Sequence, residues 1–404
     1  MLVDQHGSAR LEGSVRQAEL DNPRIALRLR APKVSISAVS LSDEPSASAS
    51  RAASGRMPFI DSLKGIAALL IVLHHLAFYG PLSDVAYPLA PAAMSWLSEY
   101  ARMAVQAFIV IAGFGTARKL ARLPLLGPRE FGLELWSRYR RVGVPYLAAL
   151  VLAIACNELA RRWMEHPSIS GRPTWTQLLA HATFLTHILG FEPLTAGVWY
   201  LAIDFQLLLV SLLLLALSQR IAGLRSAPGA SPRLFVVLCG VLAVWSLFWL
   251  NRLSHLDNYA VYFFATYFLG MLVGWVLQGT VSRPLVAVCL GVVALALCYE
   301  FRPRLVVALA TTLLLLAGTH EKALRNWPNN RLLVGLGRIS YSLFLVHFPV
   351  CLVVNAWGSR HLTGSPHAAL FGMLLAVVLS LLAAVIFYRA VEARCAPSRM
   401  RVES

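Results

Sequence analysis

The chain is 404 residues long and 57% hydrophobic, with only 14% charged residues and a formal net charge of +16. A mean hydropathy of +0.63 and several apolar stretches near the roughly 20 residues that cross a bilayer exclude an ordinary soluble domain, whose charged fraction is about 25%. The positive charge lies in the loops between those stretches, where Lys and Arg orient membrane proteins, so it gives no reason to expect nucleic acid as a partner.

Residues 1–57 stand apart from the rest. They are rich in Ser, Ala and Arg and lack the apolar core of a secretory signal. The stretch SDEPSASASRAASGR has the composition of a disordered segment. A sharper reading starts translation at Met57, where the apolar sequence begins. The expected organisation is an N-terminal extension over 1–57, a membrane domain over 58–395 and a tail over 396–404.

The first predicted span, 59–79, reads FIDSLKGIAALLIVLHHLAFY. Further spans are expected at 103–117, 143–160, 198–218, 234–250, 258–277, 284–300, 305–318, 333–356 and 367–388. The loop after the second span holds Arg118, Lys119, Arg122, Arg129, Arg138, Arg140 and Arg141, the strongest cytoplasmic signal in the chain. The stretch 178–191, with His181 and His187, is ambiguous. If it crossed, Arg220, Arg233, Lys322 and Arg331 would fall on the outer side, so it reads as interfacial or re-entrant. The expected fold is an all-α integral membrane protein with about ten transmembrane helices and both termini cytoplasmic. No repeat of 20–50 residues is visible, and the lack of a clear inverted repeat weighs slightly against a transporter.

Ionisable side chains inside a bilayer cost about 2.5–3.5 kcal/mol each at a helix centre, so those that persist are candidates for function. Asp61 and Lys64 are three apart and can pair on one helix face. Lys64 and His75 are eleven apart, about 20° from a shared face and about 16 Å apart along the axis, whereas His74 points about 80° away. The competing reading lets Asp61 and Lys64 snorkel to the interface and leaves His75 among headgroups. His is nevertheless the side chain suited to proton transfer near neutral pH. Asp204, in VWYLAIDFQLLL, is a candidate binding residue or a carboxylate held by a structural basic partner. In GRISYSLFLVHFPV, Tyr341 and His347 face different sides of a helix, and His347 reads equally as a packing residue. Arg138, Arg140 and Arg141 are either topological or an anion site. Five of the six cysteines (Cys156, Cys239, Cys289, Cys298, Cys351, Cys395) fall in apolar stretches with no metal-type spacing, so they read as packing residues and no metal is expected.

These segments, in this order, resemble the acyltransferase-3 superfamily of membrane O-acyltransferases. The opening signature of that family is an Asp, an Arg-Gly and a His, with ten residues between the Arg and the His. Here it reads Asp61, Lys64–Gly65 and His75. Ala112–Gly113–Phe114 stands for its Ser-Gly-Phe block, and SRYRRVGVPY for its Arg-rich run into Pro. Trp199, Leu201 and Asp204 stand for its Trp-x-Leu-x-x-Glu, and ISYSLFLVHFP for its late Ser-Tyr…His-x-Pro block. The resemblance covers roughly residues 57–395. Lys64, Ala112 and Asp204 depart from the pattern, and Lys64 keeps the charge of Arg without its planar fork.

The resemblance implies transfer of an acyl group, most often acetyl, from cytoplasmic acyl-CoA to a hydroxyl of an envelope carbohydrate or lipid-linked glycan at a bacterial inner membrane. His75 would be base or nucleophile. Lys64, held by Asp61, would sit at the oxyanion or at the CoA phosphates. Arg138, Arg140 and Arg141 would hold phosphates, and Trp199, Asp204, Tyr341 and His347 would line the substrate site. A flippase for a lipid-linked glycan is the alternative that uses the same intramembrane charges.

Overall fold

The computed structural model describes residues 57–395 except 124, 225–230 and 321–329. The expectations for residues 1–56 and for the tail over 396–404 lie outside the described residues. No strand occurs among the described residues.

In chain order the helices are α1 (Pro58–Phe78), α2 (Pro81–Ala86), α3 (Pro91–Glu99), α4 (Val105–Leu120), α5 (Pro128–Arg138), α6 (Val144–Ala160), α7 (Trp175–Ala182) and α8 (Val198–Leu224). They continue with α9 (Ser231–Phe248), α10 (Ala260–Leu277), α11 (Arg283–Tyr299), α12 (Pro303–His320), α13 (Arg331–Arg338), α14 (Ser340–His361) and α15 (Pro366–Phe387). Eight helical runs are long and apolar enough to cross a membrane: α1, α4, α5 joined to α6, α8, α9, α10, α14 and α15. Helices α11 and α12 are shorter apolar helices. The protein is an all-α integral membrane protein.

Two predicted boundaries change. The expected loop carrying Arg138, Arg140 and Arg141 is helical, because α5 and α6 form one run of 33 residues through a π-turn at Tyr139–Gly143. Pro145 lies two residues past that turn. Its missing N–H breaks the ordinary ladder, and the wider turn absorbs the break without ending the helix. The expected span 333–356 is in fact two helices that part at Ile339. Gly337 lets α13 lie against α1, where a Cβ would overlap the Asp61 carbonyl.

The segment 178–191 does not cross as a helix. α7 starts with a capping box, in which the Thr174 hydroxyl accepts from the Gln177 N–H and the Gln177 side chain accepts from the Thr174 N–H. It is only 8 residues long, about 12 Å. The chain then dips along α6. Near the end of α6, Asn157 accepts from the Ser170 N–H and donates to the Leu194 carbonyl. In the π-turn before α6, Tyr139 donates to the Ala182 carbonyl, and near the start of α6 the Phe184 ring stacks between Tyr146 and Phe205.

One apolar core joins α4 to α8–α12, and a second gathers α1, α6, α14 and α15. In the first, α4 and α10 cross with their backbones touching. A Cβ on Gly113 would overlap the Tyr267 carbonyl, and one on Gly270 the Val110 carbonyl. Small residues permit such contact between helices where lipid supplies no hydrophobic drive. Gly270→Ala is therefore expected to cost about 1–3 kcal/mol, read as a lower unfolding temperature in detergent. Gly291→Ala, at a position with nothing within 4 Å of a new Cβ, should leave that temperature unchanged.

Candidate active site

The second core holds a pair of imidazoles. His75 lies one turn before the end of α1 and His347 two turns into α14. Their rings stack at 4.9 Å and 15°, and His75 Nδ1 is 2.7 Å from His347 Nε2. Relative exposures are 7% and 0%, so no bulk water competes for that bond. Tyr79 and Phe348 present their edges to His75 at 5.4 and 5.7 Å.

The hydrogen bonds assign the tautomers. His347 Nδ1 is 2.9 Å from the Leu343 carbonyl, which can only accept, so this nitrogen carries the proton. In the neutral ring Nε2 is then an acceptor, and His75 Nδ1–H donates to it. His75 Nε2 is left with a free lone pair. An imidazole held by its Nδ1–H, with Nε2 open, is arranged to take a proton, and the acceptor behind it stabilises the imidazolium that results. His74 takes no part in the pair. Its Nδ1 donates to the Leu97 carbonyl at 3.1 Å and ties α3 over the end of α1.

Asp61 and Lys64 are at the far end of α1, with Lys64 Nζ 3.7 Å from Asp61 Oδ1. The eleven residues to His75 set Lys64 about 16 Å away along the axis, so the three do not meet. Lys64 neighbours a different group, formed where α5, α8, α14 and the end of α15 converge. Arg138 there makes a forked ion pair with Asp204, its Nε donating to Oδ2 at 3.0 Å and its Nη2 also bonded to the carboxylate. Tyr200 and Tyr267 lie beside this pair. Arg141 keeps accessible surface, although Arg138, Glu392, Asp204 and Tyr341 lie around it. The Tyr341 hydroxyl donates to the Val142 carbonyl inside the π-turn at 2.7 Å, fixing α14 against α6. Arg140 is exposed. Trp199 stacks on Phe263 at 5.6 Å and lines a narrow cleft with His187 and Gln206.

The candidates thus fall into two groups. His75 and His347 form one. Lys64, Arg138, Arg141, Asp204 and Tyr341 form the other, set off along the helix axes by about 9 Å from His347 to Tyr341 and about 16 Å from His75 to Lys64. Sequence reasoning overlooked Glu392, which joins the second group. Its signal was a lone carboxylate just past the last apolar run.

The segment around α7 holds another histidine. His181 is fully buried. Its Nε2 accepts from the Leu194 N–H at 3.3 Å, and its Nδ1 lies 2.5 Å from the Tyr146 hydroxyl. Burial, and secondarily His187, pushes its pKa from 6.5 down to about 4. The fold favours the neutral ring, so this contribution is full above pH 6.5 and is lost as pH falls towards 4. Residues 183–197 are expected to exchange amide hydrogens faster at pH 5 than at pH 7.5, after correction for intrinsic rates. His181→Gln should flatten the difference.

Among comparisons with known proteins, the family model described as an acyltransferase domain, acyltransferase-3, matches residues 57–388. No curated protein and no solved structure matches the chain.

Proposed function

Since the chain belongs to the acyltransferase-3 family and is a multi-pass membrane acyltransferase, we propose that it moves an acetyl group from acetyl-CoA to a hydroxyl of an envelope carbohydrate or lipid-linked glycan, at a bacterial inner membrane. The observation that carries this reading is the His75–His347 pair. His75 Nε2 takes the proton of the acceptor hydroxyl as its oxygen attacks the thioester carbonyl. The tetrahedral intermediate collapses, the C–S bond breaks, and the proton passes from His75 to the leaving thiolate. The products are an O-acyl ester and free CoA. His347 holds His75 in the reactive tautomer and steadies the imidazolium between the two proton transfers.

The second group suits the other end of the donor. With the basic loops in the cytoplasm, where CoA is found, Lys64 and Arg141 face its phosphates as the Arg138–Asp204 pair holds α5 and α8 together. The separation of about 16 Å from His75 supports Lys64 at the phosphates rather than at the oxyanion. The acyl arm then runs up the bundle to His75, and the acceptor arrives from the opposite side.

The test is O-acyl content. A strain lacking the gene, grown on ¹³C-acetate, should lose ester acetyl signals from its envelope glycans by NMR and regain them with the wild-type gene. Ester signals indifferent to the gene would refute the assigned acceptor class.

A further inference from the structure

α14 carries His347, yet its own sequence caps it poorly. Ile339 precedes the helix and offers no side-chain acceptor. The first N–H groups of a helix have no partner within it, and an Ile at this position leaves them to others. The Ser342 N–H, third in the helix, finds its partner fifty residues away. It donates to Glu392 Oε2 at 3.1 Å, and the Ser342 hydroxyl donates to the same oxygen at 2.5 Å. Ser342 is fully buried. Glu392 reaches it from a π-turn, Tyr388–Glu392, that follows α15 within one helical run reaching Cys395, and a wider turn of this kind changes the direction in which its side chains point. A carboxylate at a helix N-terminus also meets the positive end of the macrodipole. Arg141 and Lys64 face the same carboxylate, so its charge is balanced. Glu392 lies beyond the residues 57–388 that match the family.

We propose that Glu392 is a positioning residue for the acyl-transfer site: it caps α14 and thereby sets the height and rotation of His347, which in turn holds His75. The bond from His347 to Leu343 begins one residue above the capped Ser342, so slack in the first turn passes directly to the imidazole pair. The inference rests on the reading of His75–His347 as the reacting pair.

Two variants separate this role from its rivals. Glu392→Gln keeps an acceptor oxygen for Ser342 and removes the charge; Glu392→Ala removes both. The probe is radiolabelled acetyl-CoA added to membrane vesicles that carry the native acceptor, with turnover normalised to protein in the membrane. Glu392→Ala is expected to lower kcat about ten- to a hundredfold, the scale of a misplacement near 1 Å, with little change in the KM for acetyl-CoA. Glu392→Gln should recover most of that loss. In the purified protein, amide exchange in the first turn of α14 should be about fivefold faster for Glu392→Ala and near wild type for Glu392→Gln. If both variants raise or lower KM alike, Glu392 acts through charge on the donor and the positioning role is overturned. Faster exchange with undiminished turnover overturns it as well. Wild-type vesicles no faster than His75→Ala vesicles would refute the imidazole-pair reading itself and the positioning role with it, whereas the exchange experiment would still report the cap.

Discussion

Replacement of His75 by alanine is expected to lower acyl transfer by on the order of 10²–10⁴-fold, the range of a lost general base, with the protein still inserted in the membrane. The His347 ring then faces a gap with an unpaired Nε2, which costs about 1–3 kcal/mol of stability. His75→Asn is therefore the cleaner variant. Its amide keeps a donor for His347 but offers no basic nitrogen, so activity should fall as far with less loss of protein. His347→Ala should cost nearly as much as His75→Ala, because the free ring of His75 loses both its tautomer and its orientation. Groups that act as a unit are non-additive, so the double variant should be no slower than His75→Ala alone. Losses that multiply in the double variant would mean that the two imidazoles act separately, and the relay drawn from their 2.7 Å contact would be wrong.

That relay was half legible in the sequence. His75 stands out because an imidazole inside an apolar run needs a reason. His347 was visible as a polar residue in a second run, but no spacing argument links positions 272 residues apart. Only the packing of α1 against α14 does so. The spacing of Lys64 and His75 puts them within about 20° of one helix face, yet one face does not mean one site. The axial rise keeps them apart, and the two faces of the bundle then give them different neighbours. Arg138 was assigned to a loop because basic clusters usually lie between spans. The π-turn before Pro145 carries the helix through the cluster and brings Arg138 to Asp204. Glu392 was overlooked among the basic residues of the C-terminal end, Arg389 and Arg394. Its partner Ser342 lies in another part of the chain, and periodicity cannot report a cap supplied from elsewhere.

The Arg138–Asp204 pair gives the second large effect. Asp204 is only 4% exposed, and its carboxylate meets both Nε and Nη2 of the guanidinium. Removing one member leaves a charge in a poorly solvated place, so Asp204→Ala is expected to destabilise the protein by about 3–5 kcal/mol. Thermal unfolding in detergent would show it as a large drop, accompanied by loss of the protein from membranes. Replacing both members by apolar residues of similar volume, Arg138→Met with Asp204→Leu, removes the ion pair and its desolvation cost together, so most of the stability should return. The double variant also decides what the pair is for. If the pair only joins α5 to α8, the double variant folds and transfers acyl groups at close to the wild-type rate. If Arg138 also shares a donor phosphate with Arg141, the folded double variant should show a KM for acetyl-CoA raised about ten- to a hundredfold, the worth of one charged hydrogen bond, with kcat little changed. The geometry favours the first outcome. The fork of Arg138 is already engaged by Asp204, whereas Arg141 keeps accessible surface beside it. Arg141→Met, not Arg138→Met, should then be the change that weakens donor binding.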